Sequence, residues 1–187
     1  MSLSPSSARV NPIEPKNGLF LELRAWGLRV FLSTFEKQLD AKRRIVVPQD
    51  FRAAATASSG GFEGVFCFPS IEADCLEGGG EALFKRYLGV IDELPFGDPL
   101  RSALETTVLG GHNKLAFDTA GRITLPEMVC EQFGITDWVS VVGMGDRFQI
   151  WSKDAFAAHV AAQRMVAREG LAAYRNGQRA QRSGTTG

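Results

Sequence analysis

Two aspartate–arginine pairs dominate the chemistry this chain can offer. Asp40 and Arg44 stand four residues apart, and so do Asp118 and Arg122. At that spacing around a tight turn, a carboxylate accepts hydrogen bonds from turn amides or from a guanidinium, and so holds the turn shut. Lys42 and Arg43 lie inside the first pair, with Lys37 upstream and Arg52 downstream. Guanidinium forks match phosphate oxygens and the O6/N7 edge of guanine, whereas lysine adds a mobile charge on phosphate. The residues alone leave two readings open: the pairs staple their own turns, or they present arginines to nucleic acid. A shared-proton carboxylate dyad is disfavoured, because each aspartate has an arginine of its own that favours the ionised form. His112, two residues before Lys114, reads as a polar strand residue rather than a general base. No enzymatic activity is expected.

Other chemistry has little material. Cys67, Cys75 and Cys130 have no C-x-x-C spacing and read as buried free thiols of a reducing compartment. With only His112 and His159 besides, no metal site and no cofactor is expected. Net charge is zero, from 21 basic and 21 acidic residues, so contact with a polyanion must come from local patches or from many copies. No run of eighteen uncharged apolar residues is present, which argues against a membrane span.

The elements that must position the pairs are written twice. Leu39-Asp40-Ala41-Lys42-Arg43-Arg44-Ile45-Val46-Val47-Pro48 recurs as Phe117-Asp118-Thr119-Ala120-Gly121-Arg122-Ile123-Thr124-Leu125-Pro126, 78 residues later. Two copies are too few for a solenoid and suggest two halves that complete each other, like a dimer fused into one chain. Each copy predicts strand, turn, short strand and then a helix after the proline, at about 48–56 and 126–133. Gly121 supplies the positive φ the turn needs; Arg43 stands there in the first copy, at about 1 kcal/mol if the geometry is kept. Gly64–Phe68 reads as a buried strand, aligned with Arg147–Trp151 in the second copy. A helix is predicted near 71–77, ended by Gly78-Gly79-Gly80. Two helical stretches fill 81–107, and a last helix runs from Lys153 towards Ala180. Between 164 and 182 five arginines meet one glutamate, which fits a solvated helix or an auxiliary polyanion contact.

The doubled Asp-x-x-[Arg/Gly]-Arg-Ile-x-x-Pro phrase, closed by Phe148-Gln149-Ile150-Trp151, resembles the MraZ family of bacterial transcriptional regulators, built from two SpoVT/AbrB-type repeats. The match runs from about Phe31 to Phe156 and includes Phe31-Leu32-Ser33-Thr34-Phe35, where family members normally begin. It implies a mainly β fold with short helices (α+β): a swapped-hairpin, AbrB-like barrel formed by the two repeats, plus a C-terminal helix. The boundaries implied are repeats at 34–81 and 112–155, a helical connector at 82–110, and a C-terminal helix with a basic tail at 156–187. Residues 1–30 read as a disordered extension or a misplaced start, with Val30 as a possible initiator.

The resemblance also implies a cytoplasmic, nucleoid-associated homo-oligomer, ring-like or arc-like. It would bind double-stranded DNA at short direct repeats upstream of the operon for division and cell-wall genes. Arg44 and Arg122 map onto the family's DNA-contacting arginines, with Lys42 and Arg43 beside the first; Asp40, Asp118 and Gly121 map onto loop-bracing positions. Arg43 departs from the glycine usual there. A single arginine–guanine pair discriminates by only about 1–3 kcal/mol, so affinity is expected to come from many loops on successive repeats, on the order of 10²–10⁴ in avidity. Leu83, Phe84, Tyr87, Leu88, Ile91, Leu94 and Phe96 are candidates for the oligomer surface or for core. The competing readings are a protein-binding scaffold and an antitoxin-like AbrB-fold protein.

Overall fold

A computed structural model describes residues 30–183, with side chains described as far as residue 178. The expected N-terminal extension lies outside the described residues. The first half runs β1 (Thr34–Gln38), β2 (Arg44–Val46), α1 (Gln49–Ala57), β3 (Gly64–Pro69) and β4 (Leu76–Gly79). The second repeats that order with β5 (Asn113–Ala116), β6 (Arg122–Thr124), α4 (Glu127–Gln132), β7 (Trp138–Gly143) and β8 (Phe148–Ser152). Between them lie α2 (Glu81–Glu93) and α3 (Pro99–Leu104), the latter running on into a π-helical turn at Glu105–Leu109. The chain closes with α5 (Lys153–Ser183). The fold is α+β, with antiparallel sheets and a C-terminal helix.

Strand pairing shows how the halves depend on each other. The six-stranded sheet has the order β1-β7-β8-β4-β3-β5, and β2 pairs with β6 in a separate ribbon. β1 therefore completes the second half by pairing with β7, and β5 completes the first by pairing with β3. The order is symmetric about the β4–β8 seam, where Glu77 faces Gln149. The ribbon is centred likewise, with Ile45 opposite Ile123. A pseudo-two-fold axis thus relates the two copies of the phrase.

Two expectations are corrected. The predicted helix at 71–77 is absent: residues 71–75 bend and Leu76–Gly79 is a strand. Its glycines serve close packing rather than helix termination, since a Cβ at Gly78 would run into the Phe148 ring and the Cys67 sulfur. Consequently β8 corresponds to β4, not to Gly64–Phe68, and the true counterpart of β3 is β7. The hydrogen-bonded sheet is open, with β1 and β5 at its edges. β2 and β6 are short because each chain reaches a proline, Pro48 or Pro126, which lacks the N–H that would extend a ladder.

One core serves both halves. Ile45, Ile123, Val47 and Leu125 are all buried beneath the ribbon, and Phe31, Phe51 and Phe148 pack against one another at 5.2–5.7 Å. Fully burying an isoleucine contributes about 1.5–3 kcal/mol, so the central pair is a principal bond between the repeats. A satellite cluster of Phe68, Leu83 and Val108 seats α2. The connector stripe divides accordingly: Leu83 and Ile91 are buried, Phe84 and Tyr87 half-buried, and Phe96 stands almost wholly exposed at 97%. The three cysteines are free and buried, and burial pushes the Cys75 thiol up to about 12. No helix among the described residues is long and apolar enough to cross a membrane.

Candidate nucleic-acid interface

The two turns have the same internal wiring. In the first, Asp40 Oδ1 accepts from the amides of Lys42 and Arg44, both at 2.9 Å, and Oδ2 accepts from Arg44 Nε at 2.7 Å. In the second, Asp118 Oδ1 accepts from the amides of Ala120 and Arg122 at 2.9 Å, and Oδ2 from Arg122 Nε at 2.8 Å. The backbone closes alike, Arg43 N donating to Asp40 O and Gly121 N to Asp118 O at 2.8 Å. Each aspartate therefore braces its turn and also aims its arginine. The side-chain hydrogen bond from Arg44 leads in holding the Asp40 carboxyl down at about 2, and the Arg122 amide leads in lowering that of Asp118. Both are carboxylates at neutral pH, as a brace requires and a shared-proton dyad does not.

Arg43 keeps the geometry of its glycine counterpart. Its φ is +58° against +70° at Gly121, so a bulky residue occupies the left-handed region. The carbonyls at these positions are held by the opposite half: Leu125 N donates to Arg43 O at 2.9 Å and Val47 N to Gly121 O at 3.1 Å. Each turn is thus locked by a strand extension from the other repeat.

The ribbon sets the turns side by side. Arg44 pairs with Thr124 and Arg122 with Val46, so both arginines flank the ribbon's centre, each with under a third of its side chain exposed. Arg122 also approaches Asp40, at 3.9 Å, joining the two pairs into one cluster. Hydrogen bonding to Asp40 leads in raising the Arg44 pKa, and Asp118 adds to it, so the positive charge is permanent. After bonding aspartate, each guanidinium retains free N–H donors.

Arg52 is where sequence proximity misleads. It is next to the first turn in the chain, but its guanidinium lies over Gly121 of the second, in the space a Cβ there would need. With Gln49, Glu63, Phe117 and Asp118 it lines an open surface cleft of about 550 Å³ between α1 and that turn. The residue 78 positions after Arg52 is Cys130, which lies within the electrostatic reach of Arg43. Large and small residues have changed places: Arg43 with Cys130 at one turn, Gly121 with Arg52 at the other. Each turn keeps one extra guanidinium, supplied from the turn itself or from a helix. Comparing positions 43 and 52 with 121 and 130 is the signal that could have found this. Among the described residues, Lys42 and Arg52 have no carboxylate within ion-pair distance, whereas Arg43 has Glu127 at 3.8 Å.

His112 lies apart from this cluster, packed on Phe84 at 4.3 Å and Phe66 at 5.6 Å, with burial first and Lys114 second lowering its pKa. No group of three or more His, Cys, Asp or Glu among the described residues could hold a metal.

An internally duplicated α+β protein with exchanged strands, carrying a braced arginine turn on each half, is the class that fold and site define. The family model described as "MraZ protein, putative antitoxin-like" matches residues 108–173. A protein of Phenylobacterium zucineum named transcriptional regulator MraZ is 72% identical over 158 residues, covering 84% of this chain and 97% of its own. Its namesake in Caulobacter vibrioides is 72% identical over 151 residues, covering 81% and 95%, and that of Hyphomonas neptunium is 36% identical over 138, covering 73% and 81%. The chain belongs to the MraZ family.

Proposed function

We propose that this protein is a transcriptional regulator that binds double-stranded DNA through the two arginine turns. The observation that carries the reading is the side-by-side cluster of Arg44 and Arg122, each aimed by an aspartate and flanked by Lys42, Arg43 and Arg52. Its relatives' name, transcriptional regulator MraZ, supports the same reading. Arg44 and Arg122 reach base edges, while Lys42, Arg43 and Arg52 hold phosphates. The repeats span 34–81 and 112–155, joined by the connector at 82–110, and the β2–β6 ribbon caps the open sheet into an interlocked, barrel-like pseudo-dimer. The protein acts in the cytoplasm at the nucleoid, as a ring-like or arc-like oligomer on short direct repeats upstream of the division and cell-wall operon.

Zero net charge makes one subunit a weak binder, and several turns on successive repeats raise affinity by effective concentration. The test is a salt-titrated binding assay on DNA upstream of the protein's own gene, with one to four direct repeats. Wild type binds steeply with repeat number and loses affinity with salt, while Arg44→Ala and Arg122→Ala each bind roughly 10-fold or more weakly. Equal binding by folded wild type and both variants moves the reading to a protein-binding scaffold.

A further inference from the structure

The C-terminal helix α5 leaves the body soon after it begins. His159 stacks on Trp151 at 4.4 Å and Val160 is half-buried, but every residue from 161 to 178 is exposed. That is a free-standing stretch of about 27 Å at 1.5 Å per residue. Isolated helices of this length are marginal in water, and Gly170 and Gly177 weaken this one further. One side of it nevertheless sets an apolar stripe beside an arginine ridge, while Met165 and Val166 stand exposed on other sides. At 3.6 residues per turn, Val160, Ala167, Leu171 and Tyr174 fall within about 60° of one another, and Arg164, Arg168 and Arg175 within about 40° beside them. None of these arginines has a carboxylate within ion-pair distance among the described residues.

A surface of opposite character lies at the junction of α2 and α3. Residues 89–100 contain Asp92, Glu93 and Asp98 and no basic residue. Asp98 caps α3 by accepting from Leu100 N, but Asp92 and Glu93 sit exposed in the last turn of α2, which holds no basic residue. Acidic groups at a helix C-terminus oppose the helix dipole; the nearby Arg101 donates to Leu94 O at 2.8 Å and pairs with Glu105, which leaves Asp92 and Glu93 without an ion-pair partner among the described residues. Beside them Val90, Phe96 and Leu100 are 48%, 97% and 56% exposed.

We propose that α5 of one copy docks on the α2–α3 junction of a second copy, its apolar stripe against Val90, Phe96 and Leu100 and its arginine ridge against Asp92 and Glu93. The contact joins two different surfaces, so it propagates head to tail and closes into a ring or runs on as an arc. Antiparallel homotypic pairing of α5 is disfavoured, because it would bring like arginine ridges together. The inference rests on the oligomeric part of the reading above and names the surfaces that build it.

Sedimentation velocity without DNA tests it on the full chain, with circular dichroism as the folding control. Arg164→Glu/Arg168→Glu and, separately, Asp92→Lys/Glu93→Lys should each weaken association on the order of 100-fold, since like charges then meet. The quadruple variant, and an equimolar mixture of the two doubles, should recover assembly because opposite charges again face each other. Assembly of the Asp92/Glu93 variant like wild type, failed recovery, or a monomeric wild type would overturn the interface. So would an arginine variant that assembles normally and loses only DNA binding. A monomeric wild type that still binds repeat DNA would leave the DNA reading standing while this interface fell.

Discussion

Replacing Arg43 with glycine separates what the first turn costs in folding from what it contributes to binding. Arg43 sits at φ +58°, where a side chain costs about 1–2 kcal/mol relative to the right-handed region. Glycine removes that strain but enlarges the unfolded ensemble, which returns about 0.4–1 kcal/mol. The Arg43–Glu127 contact is solvated and 3.8 Å long, so its loss is worth close to nothing. Arg43 Nε is buried without a hydrogen-bond partner, and removing it adds to the gain. The net is about 0.5–1 kcal/mol of added stability, or about 2–3 °C in Tm for a chain of this size. In the binding assay the same variant loses one cation, which should lower the salt slope by about 1. Thermal and urea unfolding with an unchanged m-value would check the first part. A Tm that stays level or falls would refute the strain argument, because the backbone of this turn matches that around Gly121.

Asp40→Asn should open the first turn and destabilise the fold at neutral pH. The Asp40 carboxyl is held at about 2 against an ordinary 3.8, so its contribution is complete above about pH 5 and is lost as pH falls through 2. Acid titration of stability should therefore bring wild type and Asp40→Asn together near pH 2; a constant gap would contradict the brace. Ile45→Ala and Ile123→Ala should each cost about 2–5 kcal/mol in urea unfolding. Because the two residues face each other at 0% exposure, the double variant should depart from additivity by 0.5 kcal/mol or more, roughly. Gly78→Ala should cost about 1–3 kcal/mol through overpacking against Phe148 and Cys67; unchanged stability would mean that the β4–β8 seam has room to spare.

The duplicated phrase was legible because its signals are local: an aspartate that bonds amides two and four residues on, a left-handed turn position, and a proline that stops the strand. From these follow the turns, the ribbon strands, the helices after Pro48 and Pro126, and the placement of Arg44 and Arg122. What local signals could not reveal lies across the pseudo-axis. Gly78 and Gly79 read as punctuation, yet Gly78 is small because the Phe148 ring from the other half presses on it. Missing β4 as a strand then displaced the alignment of β8. Arg52 was assigned to the turn nearest in sequence, whereas strand exchange carries α1 to the other one. Phe84 and Tyr87 gave a helical period that fits core and interface equally, and only burial separates them from Phe96.

The exchange of large and small residues about the axis has one more consequence. Two identical subunits with a perfect dyad present the same face to DNA when turned end for end, and so cannot tell which way a site runs. Here the halves are fused, so each has been free to drift: one turn carries its outer guanidinium on the loop, the other borrows it from α1. The molecule therefore has a heading. On the function proposed above, the sites are direct repeats, which unlike palindromes all point the same way along the duplex, and a reader with a heading can be set on every one of them in the same sense.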